Sequence, residues 1–209
     1  MGIQLLDQNT INKIAAGEVI ERPSSVVKEL VENAIDAGAT AVTVEAKEGG
    51  ISFIRVTDNG SGIKKDEIDI AFKRHATSKI KSIEDLLTVS SLGFRGEALA
   101  SIAAVSQIEL ITKTKDDITG TRYQSEGSEV ISVEDIGAPD GTTFIIRNLF
   151  FNTPVRRKFL KSAMTEAGYI NALMQYMALS HPEVSFRFIN NNQNKLHTSG
   201  NMKIKGYYI

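Results

Sequence analysis

The sequence predicts a two-layer α/β sandwich built on mostly antiparallel strands, and three observations carry that prediction. Residues 41 to 47 and 51 to 58 alternate apolar with polar side chains and are joined by only Glu48, Gly49 and Gly50, the pattern of a β-hairpin. Four further strand-like runs, at 107 to 114, 121 to 125, 129 to 134 and 142 to 147, follow one another with Gly, Asp and Pro turns between them. The helical patterns are grouped rather than strictly alternating with strands, which argues for helices layered on a sheet.

The first helix is predicted over 22 to 37. Proline is pre-set for a first turn, so Arg22-Pro23 marks its start, and Gly38 stops it. At about 3.6 residues per turn, Val27, Leu30, Val31 and Ala34 share one face, while Glu29, Asn33 and Asp36 share the opposite one. The hairpin follows and ends on DNGSGIKKDE, with a short helix over 66 to 72. Residues 73 to 93 form a polar, basic connection of unusual length, the kind that carries function or moves. A helix opens near Gly96 and runs through EALASIAAV before the four strands. A helix over roughly 163 to 180 and a strand at 184 to 189 complete the layer. The final GNMKIKGYYI begins another alternating strand, so the chain divides into an N-terminal arm at 1 to 20, a main domain at 21 to 200, and the start of a second domain at 201 to 209.

Composition narrows the class of protein. With 209 residues, 42% apolar and 23% charged, the chain has the balance of a soluble domain with one sizeable core. A net charge of -1 leaves any nucleic-acid contact to a local basic patch. The absence of cysteine removes disulfides and thiolate zinc sites and fits a reducing compartment. No apolar run approaches the roughly 20 residues that span a bilayer, and the N-terminus is not a secretory leader, so the cytoplasm is the default location and no membrane partner is expected.

Four segments carry chemistry. Glu29 on a packed helix can hold a water as general base, and the Asn33 amide one turn on is a hard oxygen ligand for Mg²⁺, although the same pair also reads as a solvated helix face. Asp58 to Gly62, DNGSG, ends an apolar strand with glycines that let the backbone approach a flat ring, and its carboxylate can accept from an exocyclic amine; an ordinary Asn-Gly turn has the same letters. In SLGFRGEALAS, Gly93 and Gly96 bracket a turn into a helix start that would draw phosphate, with Arg95 adding charge; a glycine-capped helix with a structural arginine has the same letters. Upstream, Lys73, Arg74, Thr77, Ser78 and Lys79 suit a lid over a polyphosphate and equally a plain solvated basic loop. Finally, Arg156, Arg157, Lys158 and Lys161 stand beside Phe150, Phe151 and Phe159. This invites a DNA reading, but packed aromatics with solvated cations after an ordinary helix start at Asn152-Thr153-Pro154 fit better. There is no P-loop, dinucleotide fingerprint, HExxH or nucleophile elbow, and the histidines at 75, 181 and 197 are scattered.

The order EL-x-x-N, D-x-G-x-G, lid with GFRGEAL, and a late GTT at Gly141 to Thr143 resembles the GHKL ATPases. The longer strings IAAGEVIERP, KELVENAIDAGAT, DNGSGIKKDE, RHATSKI, SLGFRGEAL and FNTPVRRKFL are similar to the amino-terminal ATPase domains of the MutL family of DNA mismatch repair proteins, over residues 11 to about 160. The resemblance implies the Bergerat fold, a mixed and mostly antiparallel sheet with helices on one side. It implies ATP and Mg²⁺ as ligands, Glu29 as the catalytic base and Asn33 as the metal ligand. Asp58 becomes the adenine-reading carboxylate with Thr143 beside it. The implied ATP-binding set also holds Ala37, Gly60, Gly62, Ile63, Thr77, Ser78, Lys79, Leu92, Gly93, Phe94, Arg95, Gly96, Glu97, Ala98 and Leu99.

The resemblance further implies a homodimer closed by nucleotide, consistent with Ile3, Leu5, Leu6, Ile11 and Ile14 needing cover, which their own domain can also supply; contacts with DNA, mismatch-recognition and downstream repair proteins; and a bacterial cytoplasmic location on the nucleoid. Such proteins take a lysine to the terminal phosphate from the next domain, and this chain ends before it. Weak turnover is therefore expected, as is a segment missing near residue 201. A non-catalytic, nucleotide-gated DNA-binding or scaffold module stands as the second reading. A sensor histidine kinase is disfavoured because no helical hairpin precedes the domain.

Overall fold

A sheet of eight strands, in the order β5-β4-β3-β6-β2-β1-β7-β8, forms one layer of the computed structural model, which describes residues 4–5, 8–76 and 96–202. In chain order the elements are α1 (Gln8–Val19), α2 (Pro23–Asp36), β1 (Ala41–Lys47), β2 (Phe53–Asp58), α3 (Lys65–Ala71), α4 (Ala98–Ala104), β3 (Gln107–Lys113), β4 (Gly120–Glu126), β5 (Glu129–Ile136), β6 (Gly141–Arg147), α5 (Pro154–Phe159), α6 (Ala163–Ser180), β7 (Ser185–Asn190) and β8 (Gln193–His197). Every neighbouring pair is antiparallel except β1 with β7, so the sheet is mixed and mostly antiparallel as the sequence predicts.

The alternation in each strand decides what the layers bury. Along β1, β3 and β6 every second residue is buried, and Val42, Val44, Ile54, Val56, Ile108, Leu110, Phe144 and Ile146 all lie under the helices. Val26, Val27, Leu30, Val31 and Ala34 of α2, Ile102 to Ala104 of α4, and Ile170, Met174 and Met177 of α6 close this core from the other side. The predicted apolar face of α2 is thus the packed face. α6 is started by Ser162, whose hydroxyl accepts from Thr165 N at 3.2 Å, while the Glu166 carboxylate reaches back to Lys161 N at 3.0 Å.

The structure adds elements that the sequence pattern did not announce. α1 contains Asn9, Thr10, Asn12 and Gly17, all weak helix formers. It is held by tertiary contact: Ala16 and Ile20 are fully buried, and the Arg156 guanidinium lies against Gly17 and donates to Ile20 O at 3.3 Å. β8 is a short polar edge strand with only Leu196 buried, so it lacks the alternation that marks a half-buried strand. Most of the long connection, 77 to 95, and the last residues, 203 to 209, lie outside the described residues.

Candidate nucleotide site

The end of β2 is where the apolar face of the sheet turns polar. Asp58 continues the buried series Ile54, Val56, and its register partner on β6 is Thr142, which in turn pairs with Thr112 on β3. Asp58, Thr142 and Thr112 therefore form one cross-strand row on the helix-covered side, directly beyond the apolar row Val56, Phe144, Leu110. The Asp58 carboxylate accepts from Gly60 N at 2.8 Å and from the backbone of Thr142. Burial pushes its pKa above the usual 3.8, and the two backbone hydrogen bonds pull it back only in part.

This register corrects one expectation. Thr142, not Thr143, stands beside Asp58. Thr143 pairs with Thr57 on the opposite face of the sheet, where its hydroxyl donates to Thr57 Oγ1 at 3.1 Å. Successive residues of a strand point to opposite faces, so a shift of one position carries the side chain to the wrong layer. Thr112 was also missed. It lies in a strand chosen for its apolar pattern, and its place beside the site follows only from which strands become neighbours in the sheet.

The DNGSG loop is moored on three sides. Ser61 N donates to Ala37 O at 3.0 Å, which fixes the loop to the C-terminal cap of α2. Ile63 N donates to Thr112 Oγ1 at 2.8 Å, and that oxygen lies 3.2 Å from both Gly141 O and Thr142 Oγ1. Gly62 has φ +73°, and a Cβ there would come within 2.2 Å of Lys113 O, so only glycine allows the approach. Asn59 is structural: its Oδ1 accepts from Thr40 N and Ala41 N, both at 2.9 Å, and its amide donates to Thr40 Oγ1 at 2.8 Å.

α2 carries the other half of the site. Glu29 and Asn33 are half-buried one turn apart, and Asp36 is exposed. Lys28 Nζ lies 2.9 Å from Glu32 Oε2 and 3.7 Å from Glu29 Oε1, and the Glu32 side chain is only 5% exposed. Burial alone would lower the Lys28 pKa, but the carboxylates of Glu32 and Glu29 outweigh it and hold the ammonium above its usual value. Since Ala37 caps the same helix, Glu29 stands eight residues, or about 12 Å of helix, back from the Asp58 loop.

The residues on either side of 77–95 meet at the start of α4. A Cβ on Gly96, φ +61°, would fall 2.5 Å from Ala76 O, and His75 Nδ1 lies 3.3 Å from Glu97 Oε1. Glu97 and Ala98 lead into α4, and Leu99 packs on the core. Thr77, Ser78, Lys79, Leu92, Gly93, Phe94 and Arg95 fall outside the described residues. The basic run of α5 divides: Arg156 is committed to α1 and lies over the Phe150 ring at 5.9 Å, whereas Arg157, Lys158 and Lys161 are exposed. Phe150 is fully buried and Phe159 is 79% exposed, so the aromatics there do not form one packed group.

Residues 20–142, which include Glu29, Asn33, Asp58, Thr112 and Thr142, match the family of histidine kinase-, DNA gyrase B- and HSP90-like ATPases. The chain belongs to this family. Among curated relatives it is 70% identical over 199 residues to the DNA mismatch repair protein MutL of Agathobacter rectalis, covering 95% of this chain and 31% of that protein. It is 52% identical over 203 residues to MutL of Caldanaerobacter subterraneus subsp. tengcongensis, covering 97% of this chain and 34% of that protein. The chain therefore spans about a third of the length of these relatives. Among solved structures it is similar to the MutL ATPase domain of Aquifex aeolicus complexed with ADP, with a TM-score of 0.71 and 36% identity over 87% of this chain and 65% of that one. It is also similar to the N-terminal domain of a DNA repair protein, with a TM-score of 0.76 and 28% identity over 90% of this chain and 56% of that one.

Proposed function

We propose that this chain binds ATP together with Mg²⁺ and hydrolyses it, acting as the ATP-driven switch of a DNA mismatch repair protein whose copies pair when nucleotide is bound. The observation that carries the reading is the position of Asp58: a half-buried carboxylate at the polar end of the sheet, with its loop moored to the same helix that carries Glu29 and Asn33. A carboxylate has room for about four donors, and two backbone groups leave capacity for the exocyclic amine of adenine. From there the triphosphate runs back along α2 toward Glu29, which takes the proton of the attacking water.

The donor chemistry fits Mg²⁺ delivered with the nucleotide. Among the described residues no three His, Asp or Glu side chains gather into a metal site, whereas Asn33 offers a single hard oxygen, and Mg²⁺ commonly completes its shell with phosphates and waters. Once bound, the ion neutralises phosphate charge. Ala37 and Gly60 stand beside the base, and Gly96 to Leu99 stand at the phosphate end. The relatives named for mismatch repair support the cellular role, with DNA and other repair proteins as partners in the bacterial cytoplasm. Exposed Arg157, Lys158 and Lys161 supply local positive charge for DNA.

Single-turnover hydrolysis tests the reading. Glu29→Ala should keep its affinity for a non-hydrolysable ATP analogue while turnover falls about 10²- to 10⁴-fold; undiminished turnover rejects Glu29 as the base. Asn33→Ala should weaken analogue binding most at limiting Mg²⁺, and affinity that ignores both the substitution and the metal rejects the ligand role.

A further inference from the structure

β5 closes one end of the sheet with exposed apolar side chains that no described element covers. Its one strand neighbour is β4, and Val130, Ile131 and Val133 are 54%, 64% and 44% exposed. Val130 and Val133 pair with Ser125 and Tyr123, both buried, so they belong to the face that helices cover elsewhere. Phe72, stacked on Tyr123 at 4.7 Å between ring centroids, flanks this margin, and the apolar layer extends past it. Soluble proteins blunt such edges with Lys, Pro or brevity. β5 runs for eight residues and contains none of the basic residues or proline. Its irregularity is a bulge at Ile131, which leaves Ser132–Ile136 as a regular run open on the outer side.

The edge segment itself carries charge of one sign, although Arg122 on β4 stands across from Glu134. From Ser125 to Asp140 the chain holds Glu126, Glu129, Glu134, Asp135 and Asp140 with no Lys or Arg. Lys65 and Lys113 answer Asp135 and Asp140 at 2.7 Å each, while Glu126, Glu129 and Glu134 form no ion pair among the described residues. Beside the bulge, Glu126, Glu129, Val130, Ile131, Phe151 and Asn152 line an open recess of mixed polar and apolar character. A second copy laid antiparallel along β5 would set two rows of these carboxylates along one seam, and like charges across strands destabilise pairing.

We propose that the outer edge of β5 is a docking surface for an extended basic and apolar segment of a partner protein, added to the sheet as a further strand. Main-chain hydrogen bonds to Ser132–Ile136 would supply affinity, Lys or Arg side chains would meet Glu129 and Glu134, and apolar ones would cover Val130 and Val133. The recess would take the stem of a long basic side chain along Phe151 with its charge between Glu126 and Glu129.

The test uses the whole chain without nucleotide and a capped heptapeptide of alternating lysine and valine, read by amide hydrogen exchange. Slowed exchange at alternate amides of residues 132 to 136, with β8 unchanged, is expected. The effect should vanish for the same peptide N-methylated at every second residue, and for a glutamate-valine peptide. Glu129→Lys with Glu134→Lys, both exposed and checked for unchanged circular dichroism, should weaken binding on the order of tenfold. No slowing, slowing that survives N-methylation, slowing by the acidic peptide, affinity untouched by the double variant, or β5-dependent self-association in sedimentation would overturn the proposal.

Discussion

Asp58 shows how a single side chain is placed for a ligand at some cost to the fold. Folding buries its carboxyl and raises its pKa above the unfolded value of 3.8, so the folded state holds the charged form less willingly than the unfolded chain does. The stability this group contributes is full below 3.8 and is lost as pH rises through the raised folded value. Asp58→Asn should therefore raise the melting temperature at pH 7 while abolishing ATP binding, and the stability gain should shrink as pH is lowered toward 3.8. Thermal scans over that range check it; a gain that persists unchanged at the acid end contradicts the assignment. Asp58, Glu29 and Asn33 were legible as candidates because each sits at a marked place in a local pattern, a strand end or a helix face. Thr142 was not legible against Thr143, since the choice depends on the β2–β6 register, and register is a property of two strands distant in sequence.

At the scale of elements, the loop after β2 joins the two halves of the site. It bonds to the cap of α2 through Ala37 and to β3 through Thr112, so a strand end and a helix move together. Gly62→Ala would force a side chain onto Lys113 O in a left-handed conformation, costing about 1–3 kcal/mol. A lowered melting temperature together with weaker nucleotide binding is the expected result from calorimetry; unchanged stability would show that the loop yields freely. The same scale explains which elements could be read in advance. α2, the β1–β2 hairpin and α6 announce themselves through periodicity, a tight connection and a clear N-cap. α1 and β8 do not: one is held by burial of Ala16 and Ile20 and by the Arg156 guanidinium, and the other is an edge with a single buried side chain. Their existence is set by contacts that local sequence does not encode.

Across the whole molecule, the sheet is apolar under its helices and polar along one end, and the candidate site occupies the boundary between the two. The proposed base-reading end is the sheet row Asp58, Thr142, Thr112, and the proposed hydrolytic end is Glu29 on α2, about 12 Å back along the helix from Ala37. Adenosine triphosphate spans such a separation with its base at one end and its outer phosphate at the other. In the proposed reading the exocyclic amine of adenine is the group that Asp58 selects, and a site built around such a hydrogen bond discriminates strongly against ligands that lack the donor. Titration calorimetry with ATP and with inosine triphosphate, which carries a carbonyl in place of that amine, reads the claim directly. ATP should bind in the presence of Mg²⁺ with inosine triphosphate weaker by at least about two orders of magnitude; equal affinities for the two would contradict the account.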